Sequence, residues 1–282
     1  MKTNNKIKGV STGSWIALIL IVLIFVGPVF TIILSSFKLE REIFTYVPKI
    51  IFNPTLNNYQ NLIYKWPKFF ESIKNSIIVS FFSCFLVVLI SIPAAYSYSR
   101  MAKRGLSYTS IFLITVRMFP PIIITIPLYP LLNRMHLLDT SIVLIVLYTV
   151  FELSLITMLL KTFIDTIPYE LEEQAQIDGA SRTYSFIKII LPLMMPGIVT
   201  SIILVFIAAW NEFDFAYLMT GTASKTAPVM IAEMLGVVGQ GGFISWGIIF
   251  AAASVQVIPV MLTIWFVQKW LLSGMQIGAI KG

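Results

Sequence analysis

The sequence predicts an all-α membrane protein with six transmembrane helices. Of its 282 residues, 57% are hydrophobic and only 12% are charged, against about 45–50% and roughly 25% in soluble domains. Mean hydropathy is +0.88. The 20 basic and 13 acidic side chains are too few to cover a soluble domain of this length, and most of them flank long uncharged runs.

A bilayer core about 30 Å thick takes roughly 20 apolar residues per helix. The first span, 15–36, lies in the uncharged run between Lys8 and Lys38. Its apolar region is too long for a signal peptide and no small-residue cleavage site follows it, so it is expected to stay as a helix. The second covers about 75–97 and the third about 107–132. Prolines 120, 121, 127 and 130 should break or kink the third, because proline cannot donate to the helix ladder. The fourth is placed at about 140–160 and the fifth at about 194–219. Glycines 236, 239, 241 and 242 then precede a sixth at about 244–270. The organisation expected is a cytoplasmic tail (1–13), a first helix with an outer segment (14–72), a five-helix core (73–272) and a cytoplasmic tail (273–282).

An even number of spans puts both termini on one side. Eleven of the 20 basic residues fall in the tails, the 98–106 loop and the 161–190 segment, and eight on the opposite side, six of them in the single 38–74 stretch. The positive-inside rule then places both termini in the cytoplasm of a multi-pass cell-membrane protein. The net charge of +7 is what boundary lysines and arginines supply in contact with lipid, so no nucleic acid is needed to explain it. A lone Cys84 and a lone His136 exclude a disulfide framework and a multi-histidine metal site. No Walker-type phosphate cradle occurs. Neither a metal nor a cofactor is expected.

The stretch between spans four and five is the most informative. Pro168 suits a first helical turn, and Glu170, Glu172 and Glu173 favour a helix N-terminus. Gly179 can take the left-handed conformation that ends a helix. Ser181 can cap a second helix, which Pro192 is expected to stop. A surface helix pair lying along the membrane is the plain reading of this pattern.

Glu173-Gln174-Ala175, then Gly179, Ile189 and Leu191-Pro192 resemble the EAA loop (here 165–192) of ATP-binding-cassette importer permeases, with every spacing kept. Gln174 replaces the usual alanine, a change that keeps helix propensity. The likeness extends over Ser36-Phe37-Lys38, Pro93-Ala94-Ala95-Tyr96, Ser99-Arg100, Met118-Phe119-Pro120, Ala209-Trp210-Asn211-Glu212-Phe213 and the tail from Gly274 to Gly282, which are similar to carbohydrate-importer permeases of the maltose type. That resemblance implies the type I importer permease fold, in which the EAA helix docks in an ATPase groove. Glu172, Glu173, Ala175, Asp178, Gly179, Ala180 and Arg182 would then be the coupling residues. It also implies a second homologous permease, two copies of a cytoplasmic ATPase and an extracytoplasmic solute-binding protein that delivers sugar. Hydrolysis of ATP would belong to the separate subunit.

Ionisable residues at membrane depth are costly and default to functional candidates. Here they are Arg117, Glu152, Glu212 and Asp214. Arg117 and Glu152 could equally be an ion pair joining spans three and four, and Glu212 and Asp214, placed near the outer end of span five, could be solvated at a cavity mouth. The family usually carries uncharged residues where Glu152 and Asp214 stand. Its Trp-Asn-Glu-Phe motif sits on the helix lining the translocation path. A sugar site needs flat faces and hydrogen-bonding groups, so Trp210, Asn211, Glu212, Phe213, Asp214 and Tyr217 complete the expected substrate path. Helical spacing would put 210, 213, 214 and 217 on one face. A glycerol-3-phosphate permease and a proton-coupled secondary transporter are the alternatives. The first would want several cationic groups in its cavity.

Overall fold

The computed structural model describes residues 12–47, 49–101, 104–239 and 245–279. Most of the expected N-terminal tail, Gly241, Gly242 and the terminal Ile280–Gly282 lie outside them. In chain order the helices are α1 (Thr12–Ser36), α2 (Glu40–Ile43), α3 (Asn57–Lys65), α4 (Lys68–Arg100), α5 (Arg104–Arg117), α6 (Pro121–Arg134) and α7 (Ser141–Asp165). There follow α8 (Glu170–Ile177), α9 (Arg182–Ser185), a π-helical turn (Phe186–Ile190), α10 (Leu191–Leu193), α11 (Met195–Asn211), α12 (Asp214–Met219), α13 (Ala227–Gly239) and α14 (Trp246–Ala279). No strand occurs among the described residues. Four helices are long and apolar enough to cross a membrane, and the count is six if each of two bent pairs is one span.

The chain divides into two compact units. One joins α1, the segment after it and the start of α14. The side chain of Asn58 donates to the carbonyls of Ser36 and Lys38, each at 2.8 Å, and the Ser36 and Tyr59 hydroxyls share a bond at 2.8 Å. Glu40 accepts from the Ser245 hydroxyl and from the Trp246 N–H at the start of α14. Gly247 is required here, since a Cβ would meet the Asn58 side chain at 2.4 Å. The apolar side chains of α1 from Trp15 to Val26 are all exposed, which is the ordinary condition of a helix with lipid as solvent.

The second unit is built on α4, α7 and α11, which pack together. Ser72, Ser76, Ser80, Ser83 and Ser91 of α4 are buried at roughly helical spacing. Small residues let membrane helices approach closely, and the Thr157 hydroxyl donates to Ser91 across the α4–α7 contact at 3.1 Å. One apolar cluster gathers Val87, Ile156, Leu160, Ile198 and Val205. Another gathers Val79, Leu144, Tyr148, Phe215 and Met219.

The third expected span is broken as anticipated: α5 and α6 meet at 88°, across Met118–Pro120, where Pro120 and Pro121 withhold two donors. Pro127 and Pro130 instead lie inside α6. Pro192 departs from expectation and does not stop the second loop helix. The Leu191 N–H bonds to the Phe186 carbonyl, five residues back, and this wide π turn leads the backbone through Pro192 to Leu193. The bend, 68°, comes after it, before α11.

The face expected to carry 210, 213, 214 and 217 does not form, because the helix breaks first. Glu212 is extended (ψ 131°), and its carboxylate accepts from the N–H groups of Phe215 at 2.7 Å and Ala216 at 3.2 Å. Those donors open α12, so the side chain caps a new helix where α11 would have continued. The last helix also differs, running to Ala279 past the expected end near 270.

At the far end of α7 from the EAA loop, Asp139 (φ 58°) points into the 220–226 loop. Its carboxylate accepts N–H groups of Gly221, Thr222, Ala223 and Ser224 and the Ser224 hydroxyl, at 2.8 to 3.2 Å. Burial disfavours its charge, but the amides of Ala223, Thr222, Ser224 and Gly221 outweigh that and hold the carboxyl well below the usual carboxylate range. Asn75 and Ser76 of α4 fasten the same loop through Ala223, Lys225 and Ala227.

Candidate functional site

The EAA loop builds from a hydrogen-bonded turn. Gly179 has φ +90°; the Ala180 N–H reaches the Ala175 carbonyl at 2.9 Å, and the Gly179 N–H reaches Gln176 at 3.0 Å. This pair of bonds is the Schellman ending of α8, and the left-handed residue within it favours glycine. The Ser181 hydroxyl then accepts from the Tyr184 N–H at 3.2 Å and caps α9.

The three acids opening α8 part company. Glu172 is buried and turned into the protein, accepting from Arg100 Nε at 2.6 Å and from the Tyr96 hydroxyl at 2.7 Å. Among the expected coupling residues, Glu172 therefore faces inward. Arg100 Nη2 also donates to the carbonyls of Ile164 at 3.3 Å and Ile167 at 2.8 Å, at and just past the end of α7, adding to the Ile167 N–H that Ile164 already accepts. Asp165 beside them accepts from Ser99 and Lys161, both at 2.6 Å. Glu173, Asp178, Gly179 and Arg182 are exposed, while Ala175 and Ala180 are half-buried. Ile177 is 84% exposed, with Tyr184 and Ile187 exposed nearby in sequence. The loop therefore presents charged and apolar groups together on a braced support.

Within the membrane-spanning unit, Arg117 and Glu152 pair at 3.1 Å. The guanidinium lies 5.5 Å from the centre of the Phe151 ring, within cation–π range. Glu152 is 7% exposed and sits near the midpoint of α7. Arg117 borders a cavity of about 430 Å³ between α5, α6 and α7, with Phe112, Leu128, Phe151, Ser154 and Phe215 among its walls. A smaller cavity shares Phe151 and Phe215 with it and is lined also by Glu152 and Glu212. Arg117, Glu152 and Glu212 are thus brought together.

The remaining expected path residues divide. Trp210 is buried, stacks on Phe206 at 5.9 Å and donates its N–H to the Gln256 carbonyl at 3.2 Å; it packs against α14 and does not line these cavities. Asn211, Asp214 and Tyr217 are exposed, and Phe213 stacks on Tyr217 at 5.2 Å. Sequence reasoning missed Tyr148 and the roles of Arg100 and Asp139. Tyr148 stands one helical turn before Glu152, a spacing that places both on one face. Arg100 was visible only as part of a motif without a role.

A bundle of four long apolar helices with two bent pairs is the frame of a multi-pass membrane protein. The chain belongs to the family described as binding-protein-dependent transport system inner membrane components, which matches residues 87–277. It is 35% identical to a trehalose/maltose transport system permease protein of Thermococcus litoralis, over 95% of each chain. It is also 35% identical to a trehalose transport system permease protein of Mycobacterium tuberculosis, covering 81% of this chain and 82% of that one. A solved bacterial ABC transporter involved in import of the acidic polysaccharide alginate matches with a TM-score of 0.73 at 20% identity, over 90% of this chain and 93% of that chain. At that identity the likeness establishes the fold.

Proposed function

We propose that the chain is one of two homologous permease subunits in an ATP-driven importer of a neutral sugar. Two copies of a cytoplasmic ATPase engage the EAA loop, and an extracytoplasmic binding protein delivers the solute. Both termini and the loop are cytoplasmic. The observation that carries this reading is the loop itself, with α8 ended at Gly179, α9 capped by Ser181, and the outward groups Glu173, Asp178, Arg182 and Ile177 held on a base fixed by Arg100 and Glu172.

The names of the trehalose/maltose and trehalose relatives favour a disaccharide. The larger cavity supports a neutral solute over glycerol-3-phosphate. Its walls are aromatic and aliphatic, and its cation, Arg117, is already committed to Glu152, whereas a phosphate needs unneutralised donors. In this reading Arg117 and Glu152 shape the path together with Glu212, while Asn211, Phe213, Asp214 and Tyr217 form an exposed aromatic and polar strip at its border.

Reconstitution tests the proposal. The chain is co-expressed with its partner permease and ATPase, placed in vesicles with the binding protein, and offered a panel of disaccharides and glycerol-3-phosphate. Uptake of a disaccharide that stops when ATP cannot be hydrolysed is expected. Uptake driven by a proton gradient without ATP, or confined to the phosphate ester, overturns it.

A further inference from the structure

Five large side chains of the segment that follows α2 are left largely uncovered by the chain itself. Phe44, Tyr46, Val47, Ile50 and Ile51 are all exposed, Ile50 at 81% and Ile51 at 94%. The first three are carried on a held turn, because the Thr45 hydroxyl donates to the carbonyls of Glu42 at 3.3 Å and Val47 at 2.9 Å. A run of large apolar groups presented in this way marks a contact surface.

The segment is rooted at membrane level. In α1 the apolar span Gly13–Ser36 has 24 residues, about 36 Å of helix at 1.5 Å per residue, and the hydrocarbon core is about 30 Å thick. Ser36 therefore stands at a membrane boundary. Beyond Ile51 the chain comes back to that point: the Thr55 N–H donates to the Phe37 carbonyl at 2.9 Å, and the Lys38 ammonium lies 5.0 Å from the centre of the Phe52 ring. Phe44 meets Trp246 edge-on with ring centres 5.9 Å apart, and Trp246 opens the apolar span Trp246–Phe266. The bare side chains thus leave from, and return to, the place where one membrane span ends and another begins.

Their chemistry suits the headgroup–acyl boundary. Tyrosine and tryptophan rings settle at that depth with the apolar end down and the polar end wet, and lysine stems lie along it with the ammonium in water. Tyr46, Trp246 and the exposed Lys49 accompany the aliphatic Val47, Ile50 and Ile51 here. Continuity points the same way, since the apolar side chains of α1 from Trp15 to Val26 are exposed as well. A soluble protein that docks and leaves would return the five groups to water in every cycle, whereas lipid covers them throughout. We propose that Phe44, Tyr46, Val47, Ile50 and Ile51 form an interfacial anchor, inserted into the leaflet at the C-terminal end of α1. It sets the depth at which the end of α1 and the start of α14 sit in the bilayer. The inference holds whichever solute crosses and whichever way the chain faces.

Spin labels placed one at a time by Ile50→Cys and Ile51→Cys, in a Cys84→Ala background, test this in the assembled importer. The complex is held in nanodiscs of phosphatidylethanolamine and phosphatidylglycerol, with and without the binding protein. Collisions with oxygen, which concentrates in the bilayer, are compared with collisions with a water-soluble nickel chelate. Both labels are expected to meet oxygen more readily than nickel, equally with and without the binding protein. Nickel access exceeding oxygen access places the segment in water and overturns the proposal. Protection from both reagents also overturns it, because a protein then covers the patch: the binding protein if the protection comes only with its addition, the partner permease if it is present throughout.

Discussion

Arg100, the last residue of α4, holds Glu172 of α8 at 2.6 Å while its other arm closes the carbonyls of Ile164 and Ile167 at the end of α7. One side chain thus ties the end of a membrane helix, the end of its neighbour and the start of the EAA loop. The Tyr96 hydroxyl, also on α4, makes a second bond to Glu172 at 2.7 Å, so α8 is held to α4 by two side chains and to the end of α7 by the guanidinium.

Arg100→Ala leaves Glu172 buried without its cation, and breaking a buried pair from one side costs about 3–5 kcal/mol. The variant should melt earlier and lose co-purifying ATPase. Glu172→Gln keeps the shape and an acceptor, and should retain more of both. Equal retention of ATPase by Arg100→Ala and wild type contradicts a bracing role.

Gly179 sits at φ +90°, where a β-branched residue is strongly disfavoured. Gly179→Val should abolish uptake while leaving the membrane helices folded. Gly179→Asn should keep part of it, since asparagine tolerates the left-handed region. Normal transport by the valine variant removes the turn from the coupling account.

For the intramembrane pair, Arg117→Leu alone strands Glu152 near mid-membrane, at a cost of about 2.5–3.5 kcal/mol on insertion scales. The double variant Arg117→Leu with Glu152→Leu removes both charges and should recover assembly, measured by ATPase co-purification. Uptake should stay impaired or its sugar preference change. Unaltered uptake kinetics in the double variant would reduce the pair to a helix clamp.

Asp139 gives a pH dependence with a definite sign. Its carboxyl is held below the ordinary range in the folded chain, so its contribution is complete above the unfolded value of about 3.9 and is lost as pH falls through the folded value. Asp139→Asn should lower the melting temperature by a constant amount above about pH 5. The gap to wild type should narrow progressively below about pH 4 and vanish only as pH falls through the folded value. A gap that persists at low pH means that the charge on Asp139 is not what holds the 220–226 loop.

What the sequence made legible was local. Apolar runs, the donors missing at Pro120 and Pro121, and the positive φ at Gly179 each act within a few residues of their cause. The break at Glu212 was hidden because no proline or glycine marks it. A side chain competes there with the helix ladder for the Phe215 and Ala216 amides, and its spacing looks helical. Glu172 and Glu173 are adjacent and chemically alike, and only Arg100, distant in sequence, distinguishes the inward acid from the outward one. Asp139 depends equally on a loop more than 80 residues further on.

The π turn at Phe186–Ile190 sets a rotational phase. A turn closed five residues back holds one residue more than an α-helical turn, and each residue advances a helix by about 100°. Deleting one residue from 186–190 would restore α-helical closure and swing α9 by that angle about its axis relative to Leu191–Leu193. Tyr184 and Arg182, both exposed, would then face a different direction relative to Leu191–Leu193. The single surplus residue acts as a keyed spacer, so the loop tolerates changes of side chain here more readily than changes of length.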